Sequence, residues 1–331
     1  MTTDEADTQS IARLFRDSVI IDGCAPALMQ DMRTWRRYRD GAATAILATV
    51  TTSDDLPGTI ERLSGFHRLV RSNPDELMIA ESVADIEQAK QDGKLALVLQ
   101  FQNGRPLGRD AGMVELYQRM GVSVIQLTYN HRNNLGDGCM EPENAGLSQF
   151  GRQVVREMNR HGVLVDLSHT GERTSLDAIE HSDSPVVFSH ANAKSVHNHP
   201  RNITDEQISK VAATGGLVGV CAFPAFITDK TDRPSVDDVV AHVDHVVQVA
   251  GIDHVGFGVD FFFDEGYWPN IELGNWSPGD WPEPPWHYPL DGSNALDLAL
   301  KLADHGYSQA DIGKVMGRNL LRVLAEVARN T

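Results

Sequence analysis

The sequence predicts an α/β fold, a (β/α)8 barrel of the TIM type, on three observations. Eight short runs enriched in β-branched and apolar residues recur along the 331 residues, and most intervals between them carry helix-like patterns. Near-continuous apolar strands alternating with helices indicate a parallel sheet buried on both faces. Three runs end in a side chain able to bind a metal or carry a proton: Leu164-Val165-Asp166-Leu167-Ser168-His169, Pro185-Val186-Val187-Phe188-Ser189-His190 and His254-Val255-Gly256-Phe257-Gly258-Val259-Asp260. The C-terminal ends of barrel strands are where such folds build their sites.

In chain order the strands are expected at 18–22, 43–50, 94–101, 122–128, 162–168, 185–189, 215–222 and 254–260. Helical patterns fall between them at Gly112 to Met120, at Ser148 to His161 and at Asp205 to Thr214, where Thr204 is the expected N-cap. A last helix, Gln309 to Asn330, is expected to pack back onto the barrel. No linker, repeat or low-complexity tract divides residues 1–331, so one barrel domain is expected.

The interval 261–292 differs. It holds four of the five tryptophans (Trp268, Trp276, Trp281 and Trp286) with Tyr267 and Tyr288, and shows little periodicity. A long loop this rich in aromatics is neither disordered nor idle. Following the last strand, it should arch over the barrel mouth as a lid or substrate wall, with Trp268 touching substrate; the alternative is an aromatic plug.

Composition excludes several functions. A formal charge of −17 opposes binding to nucleic acid or an anionic membrane. No apolar stretch approaches the roughly 20 residues of a membrane span, and the acidic N-terminus is unlike a signal peptide, so a cytoplasmic location is expected. Cys24, Cys139 and Cys221 are too few and too irregularly spaced for a disulfide framework and should be reduced thiols.

Imidazoles at the ends of adjacent strands can converge on one cation, which makes His169 and His190 candidate metal ligands and zinc the expected guest. Asp260 would ligate the metal or act as general base for a bound water.

The segments Phe150-Gly151-Arg152-Gln153-Val154-Val155-Arg156-Glu157, Asp166-Leu167-Ser168-His169, Phe188-Ser189-His190, Pro200-Arg201-Asn202, Val249-Ala250-Gly251-Ile252-Asp253-His254-Val255-Gly256-Phe257-Gly258 and Asn319-Leu320-Leu321-Arg322-Val323-Leu324 resemble the membrane (renal) dipeptidase family of zinc peptidases over roughly residues 18–328. The resemblance implies a distorted amidohydrolase-type barrel, a homodimer, and a two-zinc site that hydrolyses dipeptides. It maps the histidines of the second zinc onto His169 and His190, the arginine that grips the substrate carboxylate onto Arg201, and the proton-handling aspartate onto Asp260. A planar guanidinium suits bidentate carboxylate capture, so the residue type at Arg201 is apt.

The departures are equally specific. The family's His-x-Asp after Asp-Gly is replaced by Cys24-Ala25-Pro26, its bridging glutamate by Gln102, and its Thr-His-Asn by Thr128-Tyr129-Asn130. Loss of these ligands predicts at most one zinc per chain. The pattern resembles a divergent bacterial branch of the family. Cys24, Cys139 and Glu141 are possible replacement ligands, Tyr129 joins Asp260 as a candidate proton carrier, and Asn130 and Gln102 join Arg201 and Trp268 as candidate substrate contacts.

Two classes of function are therefore expected. The first is a single-metal hydrolase of a dipeptide or related small amide with a free carboxylate. The alternative is a barrel that has left peptidase chemistry, using metal-free proton transfer through Tyr129 and Asp260 or binding a small molecule without catalysis.

Overall fold

In the computed structural model, which describes residues 3–229, 233–279 and 281–329, the strands are all parallel: β1 (Ile21–Ala25), β2 (Ala45–Thr51), β3 (Leu77–Ile79), β4 (Leu95–Phe101), β5 (Val122–Gln126), β6 (Leu164–Asp166), β7 (Val186–Phe188), β8 (Leu217–Cys221) and β9 (Val255–Gly258). Eight of them follow one another around a barrel in the order β1-β2-β4-β5-β6-β7-β8-β9. The Asp260 N–H donates to the Cys24 carbonyl at 3.1 Å, and the Val259 N–H donates to Asp22 Oδ1 at 2.9 Å, which ties the last strand to the first. The fold is the expected (β/α)8 barrel.

Two strands depart from expectation. β3 pairs with the first half of β4, Leu77 opposite Leu95, while β5 pairs with its second half. Its apolar run, Leu77 to Ala80, is bounded by Glu76 and Glu81 and is too brief to show alternation. β1 lies three residues later than the apolar run at 18–22, because its pairing with β2, interrupted by a register shift after Asp22, resumes at Ala25. Val19, at the start of that run, packs instead against the C-terminal helix.

Alternation along the strands sorts side chains into two layers. One set, including Ile46, Ala48, Leu97, Leu99, Val165, Phe188 and Val220, packs outward under the helices. The other points into the barrel. At its lower level this set is apolar, with Leu47, Val98, Val124, Leu164, Val187 and Leu217 meeting Leu320 and Val323 of the closing helix. Two residues further along each strand the same series turns polar and stays buried: Thr49, Gln100, Gln126, Asp166 and Ser189. The interior is thus a dry floor beneath a polar layer.

Among the helices, Gln149–Arg160 is capped by Ser148, and Asp205–Ala213 carries a capping box between Thr204 and Gln207. The expected helix 309–330 is broken into Gln309–Gly313, a π segment Lys314–Arg318 and Asn319–Arg329; Asn330 lies outside the described residues. Gly317 causes the break: a Cβ there would overlap the Val19 carbonyl oxygen, so the chain can pass under β1 only with glycine.

The barrel is pinched around one carbonyl. A Cβ at Gly23 of β1 would lie 2.6 Å from Ser189 O, and Cβ atoms at Gly219 of β8 and Gly258 of β9 would lie closer still. Three glycines therefore let three strands close on the end of β7, which draws His190 towards the barrel axis. Gly256, on the same strand as Gly258, would place a Cβ no nearer than 3.5 Å to any atom outside its immediate neighbours. Gly258→Ala is expected to lose about 1–3 kcal/mol in urea unfolding, as overpacked core sites do, and Gly256→Ala distinctly less. Equal losses would refute the pinch.

Candidate functional site

Three site residues, two of them ligand candidates, leave their strands through abrupt turns. Asn130, His169 and Asp260 have φ of 58°, 59° and 57°, a left-handed conformation that Asn, Asp and His tolerate better than other side chains. Such residues cost of order 1–3 kcal/mol each and persist where packing enforces them. Here they mark the rim of one site.

His169 Nδ1 lies 2.7 Å from Asn130 Oδ1, and Asn130 Nδ2 donates to the Asn275 carbonyl at 2.9 Å. The amide is thereby oriented with its oxygen towards the ring, so His169 carries its proton on Nδ1. His190 Nδ1 lies 2.7 Å from Ser189 Oγ, whose own proton goes to Asp166 Oδ2. That hydroxyl can only accept from the ring, so His190 is also protonated on Nδ1. The two Nε2 atoms face each other at 3.0 Å. Both present bare lone pairs, and that arrangement calls for a cation between or beside them.

A proton is a poor candidate. Burial, reinforced by the Arg201 charge, holds both imidazoles well below their ordinary pKa. A divalent metal fits: two oriented imidazoles whose far nitrogens bond to an amide oxygen and a hydroxyl are the outer support of a metal site. Among the described residues, one further cluster has metal-binding spacing, with Cys24 Sγ, a His190 ring nitrogen and an Asp260 oxygen all within 4.8 Å of one another. The site residues expected on three different strands do converge.

Asp260 is buried, with Cys24 Sγ 3.4 Å from Oδ1 and Cys221 Sγ 3.8 Å from Oδ2. Desolvation raises its pKa to about 6, against the opposing pull of Arg201. Asp22 accepts the Cys24 and Val259 N–H groups on Oδ1, yet its buried Oδ2 has no partner among the described residues, and desolvation raises the carboxyl to about 7. Gln102 turns its amide nitrogen, a donor, towards Cys24 Sγ and Thr49 Oγ1, at 2.9 Å each.

The remaining candidates separate. Tyr129 stacks on His169 with ring centroids 4.2 Å apart and accepts from Trp276 Nε1. Burial and the nearby Asp260 push its hydroxyl upwards, which makes it a poor base near neutrality. Asn130 is committed to orienting His169. Cys139 and Glu141 line a polar cavity of about 320 Å³ with His169, Lys194 and Arg201, on the side of His169 away from the Cys24 cluster. Trp268 is not brought to the site: it is 58% exposed and touches Tyr267 edge-on. Trp276 and Trp281 are, lining with Gln102, Tyr129, His169 and Asp260 a small space of about 20 Å³. Trp276, Trp281 and Trp286 all pack in one buried aromatic cluster with Phe223, Phe226 and Tyr267, and the first two also face this space. Sequence reading missed Asp22, Asp166, Ser189 and Cys221 as site residues, although two of these stand inside the very motifs that carry the histidines.

Arg201 is 2% exposed. Its Nη2 donates to the His190 carbonyl at 2.9 Å, its guanidinium lies over Phe226, and its Nε has no partner among the described residues. A buried cation with an unmet donor is costly unless an anion completes it.

A family model described as "Membrane dipeptidase (Peptidase family M19)" matches residues 9–274. The chain is 31% identical over 274 residues to a dipeptidase of Aspergillus oryzae, covering 81% of this chain and 61% of that protein. It is 29% identical over 271 residues to a dipeptidase of Claviceps purpurea, covering 81% and 60%. The chain thus spans about three fifths of the length of these curated relatives. The crystal structure of an amidohydrolase from Pseudomonas aeruginosa superposes with a TM-score of 0.89 at 33% identity, over 96% of this chain and 99% of that one.

Removal of the Ser189 hydroxyl frees the His190 tautomer. Ser189→Ala is expected to weaken zinc binding about 10- to 100-fold, measured by competition with a chromophoric chelator on protein shown to be folded by circular dichroism. Unchanged affinity would show that the hydroxyl does not set the ligand.

Proposed function

Because the chain belongs to peptidase family M19, the membrane dipeptidases, we propose that it is a metal-dependent hydrolase, with one zinc per chain, of a dipeptide or related small amide carrying a free carboxylate. The observation that carries this reading is Arg201: a buried guanidinium with an unpartnered Nε, bonded to the backbone of His190 and lining the same cavity as His169. An anionic group entering that cavity meets its counter-charge beside the histidine pair.

His169, His190 and Asp260 would hold the metal. A zinc ion bound there would bring the pKa of a coordinated water towards neutrality and polarise the amide carbonyl. The chain's own residues supply the rest. Arg201 fixes the carboxylate end of the substrate by charge-assisted hydrogen bonds, which orients the amide. Asp260 has one of two roles: it completes the metal's ligand set, or it stays off the metal and, with its carboxyl raised to about 6 in the metal-free site, takes up and returns a proton. The metal-free alternative loses support, because its second proton carrier, Tyr129, is pushed away from neutrality.

Zinc-loaded protein is expected to hydrolyse members of a dipeptide panel with free C-termini and not their C-terminal amides, with activity lost to a chelator and restored by zinc. Arg201→Met should lower kcat/KM about tenfold to a hundredfold, mainly through KM, the size of one hydrogen-bonded charge contact. An unchanged KM, or equal cleavage of the amides, would refute carboxylate capture by Arg201.

A further inference from the structure

The Cys24 side chain occupies a position that a buried thiol does not explain by itself. It sits next to the last residue of β1 with 0% exposure, and its sulfur lies near three groups just beyond the ends of three other strands. Gln102 Nε2 donates to Sγ at 2.9 Å, Asp260 Oδ1 lies 3.4 Å away, and His190 lies within the same 4.8 Å cluster. Its backbone is held as firmly: the Cys24 N–H donates to Asp22 Oδ1, and the Cys24 carbonyl accepts from the Asp260 N–H. Cys24 and Asp260 are therefore fixed to each other across the seam that closes the barrel.

We infer that Cys24 is a ligand of the site metal, binding it as a thiolate together with His190 and Asp260, with His169 as the adjacent nitrogen donor. This rests on the metal-dependent reading above and adds to it the identity of a sulfur ligand.

Burial and the neighbouring Asp260 and Asp22 carboxylates push the free Cys24 thiol up, so the thiolate depends on the metal's own charge. Cys24 and His190 are 0% exposed, His169 4% and Asp260 9%, so a dication here has little water to share its charge. Asp260 and two neutral imidazoles would leave one positive charge uncompensated beside the Arg201 guanidinium. A thiolate brings the donor set to two negative charges, and the buried site becomes neutral. Gln102 fits the same assignment, because an amide that donates to sulfur stabilises a thiolate. The histidine pair gives an independent reason for a cation: both Nδ1 protons are committed to Asn130 and Ser189, so both Nε2 lone pairs are available. Loading is balanced: the S–H bond of Cys24 breaks as the sulfur–metal bond forms, and one proton from this residue leaves to solvent.

The test uses the full chain loaded with cobalt(II), whose thiolate complexes absorb by charge transfer in the near ultraviolet. The loaded protein is expected to show that band. Cys24→Ser should abolish it and weaken cobalt binding, whereas Cys139→Ser and Cys221→Ser should retain it. X-ray absorption of the zinc-loaded wild-type chain, which needs no variant to fold, should show one sulfur neighbour at about 2.3 Å. Cobalt bound without the band, a band that survives Cys24→Ser, or a zinc shell of nitrogen and oxygen alone would overturn the sulfur ligand and leave the metal reading standing. Failure to bind either metal would overturn both.

Discussion

A buried carboxylate, Asp166, fixes much of what lies above it. It has no exposed surface, and five donors meet it: the Ser168 and Ser189 N–H groups, both serine hydroxyls, and the Gln100 amide. A carboxylate so far from water is tolerable only when its lone pairs are filled, so these donors have little freedom to turn elsewhere. Because the Ser189 hydroxyl must donate to Asp166, it must accept from His190. The tautomer of a candidate metal ligand is thus decided two residues away, by a group that cannot itself touch a metal held at Nε2. The glycines that crowd Ser189 O act in the same direction, since they bring β1, β8 and β9 close enough to fix where this chain of bonds ends.

The electrostatics of the site follow from a second buried charge. Arg201 lowers the pKa of Asp260 and of both imidazoles, while burial acts on all three without regard to sign. For the histidines the two effects add and keep the rings neutral, the form that can ligate. For Asp260 they oppose, and the carboxyl settles near 6. One cation therefore prepares both kinds of group for a metal, and its buried Nε has no partner among the described residues.

The sequence exposed the barrel because eight apolar, β-branched runs mark its strands, even at β6 and β7 where only three residues form the strand, and it exposed His169, His190 and Asp260 because all three stand just beyond strand ends. It hid β3, whose short run Leu77 to Ala80 is bounded by Glu76 and Glu81 and lies off the eight-strand path, and the three-residue offset of β1, where Gly23, Cys24 and Ala25 continue the strand without branched side chains. The supporting residues were hidden for another reason. Ser189 and Asn130 matter through what they hydrogen-bond, and nothing in their spacing says that one meets Asp166 and the other Asn275. Trp268 and Trp276 make the same point: both are tryptophans on one aromatic loop, yet one is largely exposed and the other is tied to Tyr129.

That tie joins the loop to the chemistry. Trp276 Nε1 donates to the Tyr129 hydroxyl, Tyr129 lies flat on His169, and His169 separates the 20 Å³ space beside Asp260 from the 320 Å³ cavity beside Arg201. The smaller space has room for about one water, and its aromatic walls, Trp276 and Trp281 stacked 5.8 Å apart, hold bulk solvent away from Asp260. Exclusion of water strengthens every charge interaction within, including those of Arg201 with the imidazoles. The larger cavity is polar and reaches the guanidinium without crossing the aromatic layer. A carboxylate bound as proposed would enter from that side. Trp276 meanwhile faces the space beside Asp260 and, through its bond to Tyr129, bears on the ring stacked over His169. The walls of the space beside the carboxylate and the support of the imidazole therefore share one residue pair.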